Sequence, residues 1–365
     1  MKILVIHKST LEQIPPVLSA INILCDLKYN VVSISTGITK SNAELLKRRG
    51  VDVNVVNDYK GTNKFKKLIS YHLYKKQVFH LIEIYAQSEP VLLWIEGAYT
   101  ILALGTAIKK YKYILQISEL HESYKYQLNA IKRVIGEAEA VFMPEYNRSV
   151  LYKLWFKLKK RPVVLPNKPY VFPSDEELVK IKDNYREVIE SLVGKKIILY
   201  QGHIYADRDL SGIAKAMNFL GADYVLLLMG QDHGNFVNKY KDITSKIVYI
   251  NSIPAPYHLL FTSMAHIGIL SYNDDVLNNI YCAPNKIFEY SYYGLPMLGN
   301  DIPGLKYSVE AYGAGKLVDF NNVENIKKSI LAIDGSYENF VEGSKRLFDS
   351  VDNKSIIFET LKDFV

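Results

Sequence analysis

The sequence predicts an α/β protein made of two doubly wound parallel-sheet domains. Short apolar runs of strand length alternate with helical or polar segments along most of the chain, as expected for parallel strands joined by crossover helices. The chain has 365 residues, which is more than one hydrophobic core holds comfortably. A proline-rich stretch at residues 165–177 has no helical period, and it divides the chain into two domains of about 150–200 residues each.

Composition predicts a globular, cytoplasmic protein with an anionic partner. The chain is 48% hydrophobic and 23% charged, with a net charge of +7, which indicates a packed core and an anionic ligand or surface. Basic residues interleaved with aromatic ones are not evident, which disfavours nucleic acid. Cys25 and Cys282 are too few and too isolated for a disulfide framework or a zinc site. The N-terminal apolar run is too short for a signal peptide or a membrane span.

The N-terminal half predicts the first of the two sheets. A strand at residues 1–6, a helix at 15–27 that begins at a proline pair, and a strand at 30–35 form a βαβ unit. The loop after the first strand contains no GxGxxG, which argues against a nicotinamide or flavin site. Further strands are predicted at residues 51–56, 91–95, 113–117 and 140–143.

Polar residues at the ends of these strands are the candidate functional groups, because ligands of such sheets bind at the carboxyl ends of the strands. They are Glu96, then Glu119 with His121 and Glu122, and then Glu145 with Arg148. A histidine between carboxylates can bind a hydroxyl group or transfer a proton. The alternatives are a loop histidine that caps the next helix and, for Glu145 with Arg148, an ion pair within one helix.

Two segments, residues 65–85 and 151–162, predict helices that mix apolar residues with lysines. Such helices can lie in a membrane interface with the lysines toward anionic headgroups. The alternative is ordinary packing of the apolar stripe on the sheet, with the lysines in solvent.

The second half predicts another sheet and an anion site at its first strand. After the linker, Ser174 and Glu177 form a capping-box pattern, and strands are predicted at residues 195–200, 224–229, 247–250 and 267–270, with a final helix at 355–365. Gly202 lets the backbone approach a ligand, and Arg208 can clamp a phosphate. The alternative for Arg208 is a surface pair with Asp207 or Asp209.

The stretch at residues 281–300 predicts a short helix followed by a buried strand. Pro284 suits a first helical position, and Gly294 ends the helix. The helix start and Lys286 favour an anion such as a phosphate, while Glu289, one turn further on, can accept two hydrogen bonds from a diol such as a ribose. The alternative is a solvated pair of Lys286 and Glu289, worth a few tenths of a kcal/mol.

The segments "APNKIFEYSYYGLPML" and "QGHIYADRD" resemble the signatures of GT-B glycosyltransferases, especially family 4 members of bacterial surface-polysaccharide pathways. The resemblance implies two Rossmann-like domains that face a cleft: an acceptor-side domain at residues 1–168, a nucleotide-sugar-binding domain at 169–352, and a helix at 353–365 that returns to the first domain. The matching donor-binding residues are Gly202, His203, Arg208, Pro284, Asn285, Lys286 and Glu289.

The same resemblance assigns a catalytic or sugar-contacting role to the loop of Glu119, His121 and Glu122. Two positions depart from the family pattern. His203 stands where an arginine is common, and Tyr281 stands where retaining members carry a first glutamate.

The implied activity is the transfer of a sugar from a nucleotide-diphosphate sugar, UDP rather than GDP, to an acceptor hydroxyl in capsule, O-antigen or other surface-glycan synthesis, with retention of configuration. No cofactor and no metal are expected, because Asp274 and Asp275 are adjacent rather than in an Asp-x-Asp triplet. The acceptor would be a glycan or a lipid-linked sugar, which would place the protein at the inner face of the membrane. The alternatives are a nucleotide-sugar 2-epimerase and a non-catalytic accessory subunit.

Overall fold

A computed structural model describes residues 1–58, 63–362 and 364. Contacts between residues divide the chain into two compact units. Unit 1 comprises Met1–Val171 with Asp352–Val365, and unit 2 comprises Phe172–Val351. In the described part of the chain, none of the helices is both long enough and apolar enough to cross a membrane.

Unit 1 alternates strands and helices through its length. Its strands are β1 (Lys2–Thr10), β2 (Asn30–Gly37), β3 (Asp52–Val55), β4 (Val91–Glu96), β5 (Lys112–Gln116), β6 (Ala140–Met143) and β7 (Val163–Val164). Its first helices are α1 (Pro15–Asp26), α2 (Lys40–Arg48), α3 (Lys64–Ala86), α4 (Ala98–Leu104), α5 (Lys125–Lys132) and α6 (Tyr146–Phe156).

The described strands of unit 1 form one parallel sheet in the order β3-β2-β1-β4-β5-β6-β7. The strand order reverses between β1 and β4, which pair directly from Lys2 opposite Val91 to His7 opposite Glu96. Every residue of β4 is buried, because helices cover both faces of a parallel sheet and leave no solvated side.

The helices of unit 1 form where the sequence supplies an apolar stripe. In α3 the buried stripe repeats every four residues, at Tyr74, Val78 and Ile82, and this confirms the helix predicted at residues 65–85. The helix predicted across residues 151–162 is wrong in its second half. It ends at Phe156 because Lys157 adopts a left-handed conformation, with φ of 52°, and the next amide turns back to the carbonyl of Lys153.

Unit 2 begins with α7 (Asp175–Val179), whose capping box of Ser174 and Glu177 is present as predicted. Its strands are β8 (Lys196–Gln201), β9 (Tyr224–Met229), β10 (Ile247–Ile250), β11 (Ile267–Leu270), β12 (Met297–Asn300) and β13 (Gly315–Val318). Its other helices are α8 (Arg186–Leu192), α9 (Ser211–Met217), α10 (Phe236–Ile243), α11 (Leu259–Met264), α12 (Leu277–Ile280), α13 (Lys286–Tyr292), α14 (Pro303–Leu305), α15 (Val323–Gly335) and α16 (Tyr337–Asp349).

The strands of unit 2, as far as the structure describes them, form a parallel sheet in the order β10-β9-β8-β11-β12-β13. The order reverses between β8 and β11, which lie side by side. Apolar clusters pack on both faces, with Leu199 and Leu227 on one and Ile198 and Leu226 on the other. The predicted fold class of two doubly wound parallel-sheet units is therefore confirmed.

The last helix, α17 (Asn353–Leu361), belongs to unit 1. Ile357 and Leu361 are fully buried in the core of unit 1. Asn353 Nδ2 donates a hydrogen bond to the carbonyl of Pro166 at 2.8 Å. The predicted end of this helix at residue 365 lies outside the described residues.

Candidate functional site

Two glycines meet at the carboxyl edge of the unit 2 sheet. Gly202, which follows β8, has a φ of 120°, and Gly230, which follows β9, has a φ of 149°. A Cβ on Gly230 would lie 2.0 Å from the carbonyl oxygen of Gly202. Both positions require glycine, because the backbone is in the left-handed region and a side chain on Gly230 would collide with the neighbouring loop.

The ammonium of Lys286, the first residue of α13, lies against this edge. A Cβ on Gly202 would stand 3.2 Å from the Nζ of Lys286. The ammonium rests 4.6 Å from the ring centroid of Tyr200 and 5.6 Å from that of Tyr272. Burial, together with the nearby positive charge of Arg208, lowers the pKa of Lys286 to about 8. A partly desolvated cation next to a second cation is a favourable place for an anion.

Arg208 supplies that second positive charge. Its guanidinium carbon lies 4.3 Å from the ring centroid of Tyr272, and Nη1 lies 3.4 Å from Oδ1 of Asn279. Nη1 is also 3.2 Å from a carboxylate oxygen of Asp207. The pairing with Asp207 expected under the alternative is thus present, and Arg208 also shares the Tyr272 ring with Lys286.

Glu289 is held one turn along α13 by groups from two other elements. Its side chain is 12% exposed, and Oε2 lies 3.5 Å from Nε2 of His258. Oε2 also accepts a hydrogen bond from Nε2 of Gln201, the last residue of β8. Thr262 donates to the other end of the same amide at 2.6 Å, which fixes its orientation. The alternative interpretation, a solvated ion pair of Lys286 and Glu289, is therefore wrong, since each of the two side chains packs against other residues.

The start of α13 differs from the prediction. The helix begins at Lys286, so Pro284 lies outside it, and Asn285 occupies the N-cap with φ of −55° and ψ of −33°. The carbonyl of Asn285 accepts from the amides of Phe288 and Glu289 at 2.9 Å and 3.0 Å. Because α13 has only seven residues, the positive charge here comes mainly from side chains rather than from a helix dipole.

His203 follows Gly202 and faces a second histidine. Its Nδ1 lies 3.0 Å from Nε2 of His233, and the ring of His233 stacks on Tyr205 at 4.1 Å. Burial lowers the pKa of His203, and the charges of His233 and Lys286 lower it further. His203 is therefore a neutral hydrogen-bonding group beside Lys286 rather than a substitute for an arginine charge.

In unit 1, the loop between β5 and α5 brings Glu119, His121 and Glu122 together. His121 has a left-handed φ of 59°, and burial lowers its pKa while Glu119 and Glu122 act in the opposite direction. Glu119 lies 3.4 Å from Nη1 of Arg148. The alternative was a loop histidine that caps the next helix. The contact of this kind is made by the backbone, because the carbonyl of His121 accepts a hydrogen bond from the amide of Tyr124 at 2.8 Å.

Glu145 and Arg148, for which the alternative was an ion pair within one helix, both lie at the start of α6. Glu145 is the N-cap of α6, and its carboxylate accepts from the backbone amide of Arg148 at 2.8 Å. The guanidinium of Arg148 is buried and donates to the carbonyl of Ser118. Glu145 therefore starts a helix, and Arg148 supports the loop that carries Glu119 and His121.

Sequence reasoning missed a buried pair at the centre of the unit 1 sheet. His7 is 5% exposed and Glu96 is 2% exposed, and Nδ1 of His7 lies 2.6 Å from Oε2 of Glu96. Glu96 was a candidate and His7 was not. Comparing the last residues of strands on either side of the reversal in strand order would have found the pair. The same comparison would have found Gln201.

Comparison with solved structures decides the fold. HepE from Anabaena, solved with UDP and glucose, aligns over 100% of both chains with a TM-score of 0.74 at 11% identity. The fold is GT-B. Sucrose-phosphate synthase from Thermosynechococcus elongatus aligns over 100% of this chain and 98% of its own with a TM-score of 0.72 at 13% identity.

A third similar structure is named for a different activity. A protein from Listeria monocytogenes assigned as a UDP-N-acetylglucosamine 2-epimerase aligns over 100% of this chain and 97% of its own, with a TM-score of 0.62 at 14% identity. No protein-family model and no curated protein matches the sequence. At these identities the comparisons establish the GT-B fold, and the function has to be argued from the site.

Within the described residues, the structure contains no group of three or more His, Cys, Asp or Glu side chains placed to hold a metal ion. Metal independence remains a prediction.

Proposed function

We propose that the protein is a glycosyltransferase that moves a sugar from a UDP-sugar to an acceptor hydroxyl. The observation that carries this proposal is the arrangement at the unit 2 strand reversal. There, Lys286 and Arg208 flank the Tyr272 ring, and Glu289 is oriented by Gln201. Two cations match a diphosphate, and an anchored carboxylate matches a ribose diol.

Among the described residues, the hydrogen bond and the ion pair of the Glu289 carboxylate both go to one oxygen, Oε2, which leaves the other oxygen to a ligand. Gln201 and His258 both contact Oε2, so Oε1 retains its capacity to accept hydrogen bonds from ribose hydroxyls. A charge-assisted hydrogen bond of this kind contributes about 1.5–3 kcal/mol. Glu289 thereby sets the position of the nucleoside, and the attached diphosphate lies next to Lys286 and Arg208.

The cations then stabilise the leaving group. When the bond between the sugar and the diphosphate breaks, negative charge grows on the diphosphate, and Lys286 and Arg208 are already in place to meet it. Fixed positive groups in a partly desolvated site lower the barrier, because they need no reorganisation as the charge develops. This role makes a metal unnecessary in our proposal, and no cofactor is needed besides the nucleotide-sugar donor, which is a substrate.

The finer assignments come from the family resemblance and are proposals too. They are a hexosyl or related sugar as the group transferred, a capsule, O-antigen or other surface glycan as the product, and Glu119, His121 and Glu122 as sugar-contacting or catalytic groups. Retention of configuration is proposed on the same basis, although Tyr281 replaces the usual acid. Nuclear magnetic resonance of the anomeric proton of the first-formed product reports the configuration directly.

The acceptor side suggests a lipid surface. At the start of α3, Leu68 is 67% exposed beside the exposed Lys66 and Lys67, and in α6 Leu154 is 65% exposed beside Lys153. Exposed apolar residues flanked by lysines suit an anionic bilayer interface. We therefore propose a cytoplasmic protein that acts peripherally at the inner face of the membrane on a glycan or lipid-linked acceptor.

A nucleotide release assay tests the activity. The protein is incubated with UDP-glucose, UDP-galactose or UDP-N-acetylglucosamine and with octyl glycosides as acceptors. Free UDP together with a new glycoside supports the proposal. The alternative function is a nucleotide-sugar 2-epimerase, as the name of the similar Listeria structure suggests. A 2-epimerase would give an epimerised UDP-sugar without free UDP. UDP binding without any turnover would indicate the accessory subunit.

A further inference from the structure

Two buried amides lie behind the charged side chains of the unit 2 site. Gln201, at the end of β8, is 4% exposed, and Asn279, in α12, is 7% exposed. Gln201 donates a hydrogen bond to Glu289, and Asn279 accepts one from Arg208. A side-chain amide that is removed from water needs a partner at each end, because an unpaired end costs free energy. The partner at the far end of each amide therefore decides which end faces the site.

The amide of Gln201 is held with its nitrogen toward the site. Nε2 donates to Oε2 of Glu289, and a carboxylate oxygen only accepts. At the far end, Oε1 accepts from Oγ1 of Thr262 at 2.6 Å, and Thr262 is fully buried. If the amide turned over, its oxygen would face the carboxylate and two acceptors would meet without a proton between them. The hydroxyl of Thr262 therefore fixes the amide, and the amide fixes Glu289.

The amide of Asn279 is held in the opposite sense, with its oxygen toward the site. Oδ1 lies 3.4 Å from Nη1 of Arg208, from which it accepts, and a guanidinium only donates. At the far end, Nδ2 donates to Oδ1 of Asn273. Asn273 thus fixes Asn279 as the threonine hydroxyl fixes the other amide. Each charged side chain meets the end of an amide that complements it.

A neutral partner orients a charged group without cancelling its charge. A buried carboxylate behind Arg208 would pair with it and compete with a bound diphosphate, and a buried cation behind Glu289 would likewise compete with a ligand. The charged partner of Arg208 is Asp207, whose side chain is 47% exposed, so solvent screens the pair. In the buried direction both charged groups instead meet an amide. Their charge therefore remains for a ligand.

We propose that Gln201 and Asn279 are positioning residues that orient the two charged groups for the donor. Gln201 acts through Glu289 on the ribose, and Asn279 acts through Arg208 on the diphosphate. This inference rests on the proposed binding of a UDP-sugar. Neither amide touches the donor in this arrangement. The effect of each amide should therefore be confined to the part of the donor that its charged neighbour binds.

The test of the ribose arm is Thr262→Val, which has nearly the same shape but lacks the hydroxyl that fixes Gln201. Calorimetry compares UDP with 2′,3′-dideoxy-UDP, which lacks the ribose diol. Because one neutral hydrogen bond is worth about 2–10-fold in affinity, we expect UDP to bind more weakly by about that factor and the dideoxy analogue to change by less than about twofold. Thr262→Ser, which keeps the hydroxyl, should recover most of the UDP affinity.

The matched control for this arm is Thr244→Val. Thr244 is a buried threonine, 4% exposed, whose hydroxyl oxygen accepts from the amide of Lys246 just before β10. It makes the same change of side chain in the same unit, at the opposite ends of the strands from the site. The ratio of the affinities for UDP and the dideoxy analogue should stay at the wild-type value.

The test of the diphosphate arm is Asn279→Asp, which keeps the shape and adds a negative charge beside Arg208. UDP and 2′,3′-dideoxy-UDP should both lose about 10–100-fold in affinity, as for a charged hydrogen bond, whereas uridine should change by less than about twofold. Asn279→Leu removes the partner of Arg208 without adding a charge. It should cause a smaller loss with the same dependence on the diphosphate.

Each comparison is made between two ligands on one variant, so a partly unfolded sample lowers the number of binding sites and leaves the ratio of affinities intact. If Thr262→Val weakened UDP and its dideoxy analogue equally, or Asn279→Asp weakened uridine as much as UDP, the amides would act through packing. Either result would overturn the inference while wild-type binding of UDP left the proposed function standing. A wild-type protein that does not bind UDP would overturn both.

Discussion

Replacing Lys286 with methionine should stabilise the free protein and weaken its binding of UDP. Methionine keeps an aliphatic stem of similar length and removes the charge. The pKa of Lys286 is lowered from 10.5 to about 8, a difference equivalent to about 3 kcal/mol at about 1.4 kcal/mol per unit of pKa. Because the side chain is only partly buried, solvent screens part of this cost. We expect Lys286→Met to raise the free energy of unfolding by about 1–2 kcal/mol.

The stabilising sign of the Lys286→Met effect follows from the linkage between protonation and folding. At pH 7 Lys286 is charged in both the folded and the unfolded chain, so the folded state bears the full cost of the partly desolvated charge. As the pH rises through about 8, the folded protein loses the proton before the unfolded chain does, and stability rises until the pH nears the unfolded value. The variant lacks this rise, so its advantage over the wild type should disappear toward about pH 10.

UDP binding should show the opposite trend with pH. In our proposal the ammonium binds the diphosphate only when it is protonated, so its contribution should be nearly complete at pH 7 and should be lost as the pH rises through about 8. At about pH 9 roughly one tenth of the free lysine is protonated, so wild-type affinity should fall roughly tenfold relative to about pH 7. At pH 7 we expect Lys286→Met to bind UDP about 10–100-fold more weakly.

Urea unfolding and calorimetry across this pH range measure both effects. In Lys286→Met, any change of UDP affinity with pH comes from the titration of groups other than Lys286, including UDP itself. The part of the wild-type change that exceeds the change in the variant is therefore due to Lys286. Lys241→Met, which removes an exposed charge on α10, is the matched control and should change neither quantity by more than about 0.5 kcal/mol. If Lys286→Met lowered stability, or left UDP affinity intact, the ammonium would not occupy the environment described.

Three other predictions follow from the same structure. Glu289→Ala should weaken UDP binding by about 1.5–3 kcal/mol, whereas exposed Glu342→Ala should not; equal affinity of wild type and Glu289→Ala in calorimetry would remove the ribose assignment. Transfer should continue in the presence of a chelator, and activity abolished by EDTA and restored by magnesium would contradict the proposed metal independence. Sedimentation with anionic vesicles should exceed that with neutral ones and decline with salt. Equal recovery, or no effect of glutamine at Lys66, Lys67, Lys75 and Lys76, would leave α3 as an ordinary packed helix.

The elements of the fold could be predicted because buried parallel strands are continuous apolar runs. The strands at Tyr224–Met229, Ile247–Ile250 and Ile267–Leu270 have the predicted bounds, since a polar residue or a glycine stands at each end of each run and leaves little choice of ends. Helix ends were less predictable. Lys157 ends α6 by its left-handed backbone conformation, which cannot be predicted from the presence of a lysine in the sequence.

The candidate site was predictable only where its residues are close in sequence. Lys286 and Glu289 lie one helical turn apart, so spacing alone places them near each other. Gln201, which orients Glu289, is separated from it by 88 positions. The pairing of His7 with Glu96 likewise depends on which strands lie side by side. Such partners become visible only when the strand order is known, because a sheet joins strand ends that the chain keeps far apart.

The position of α17 has a consequence for the order in which the protein is made. A ribosome releases the first seven strands early, yet the helix that covers α1 and buries Ile357 and Leu361 emerges only after all of unit 2 has been synthesised. Nascent unit 1 must therefore wait with an apolar face uncovered, while unit 2, a continuous segment, can complete its core first. Chaperone occupancy during translation should accordingly concentrate on the α1 face and end when the final helix docks.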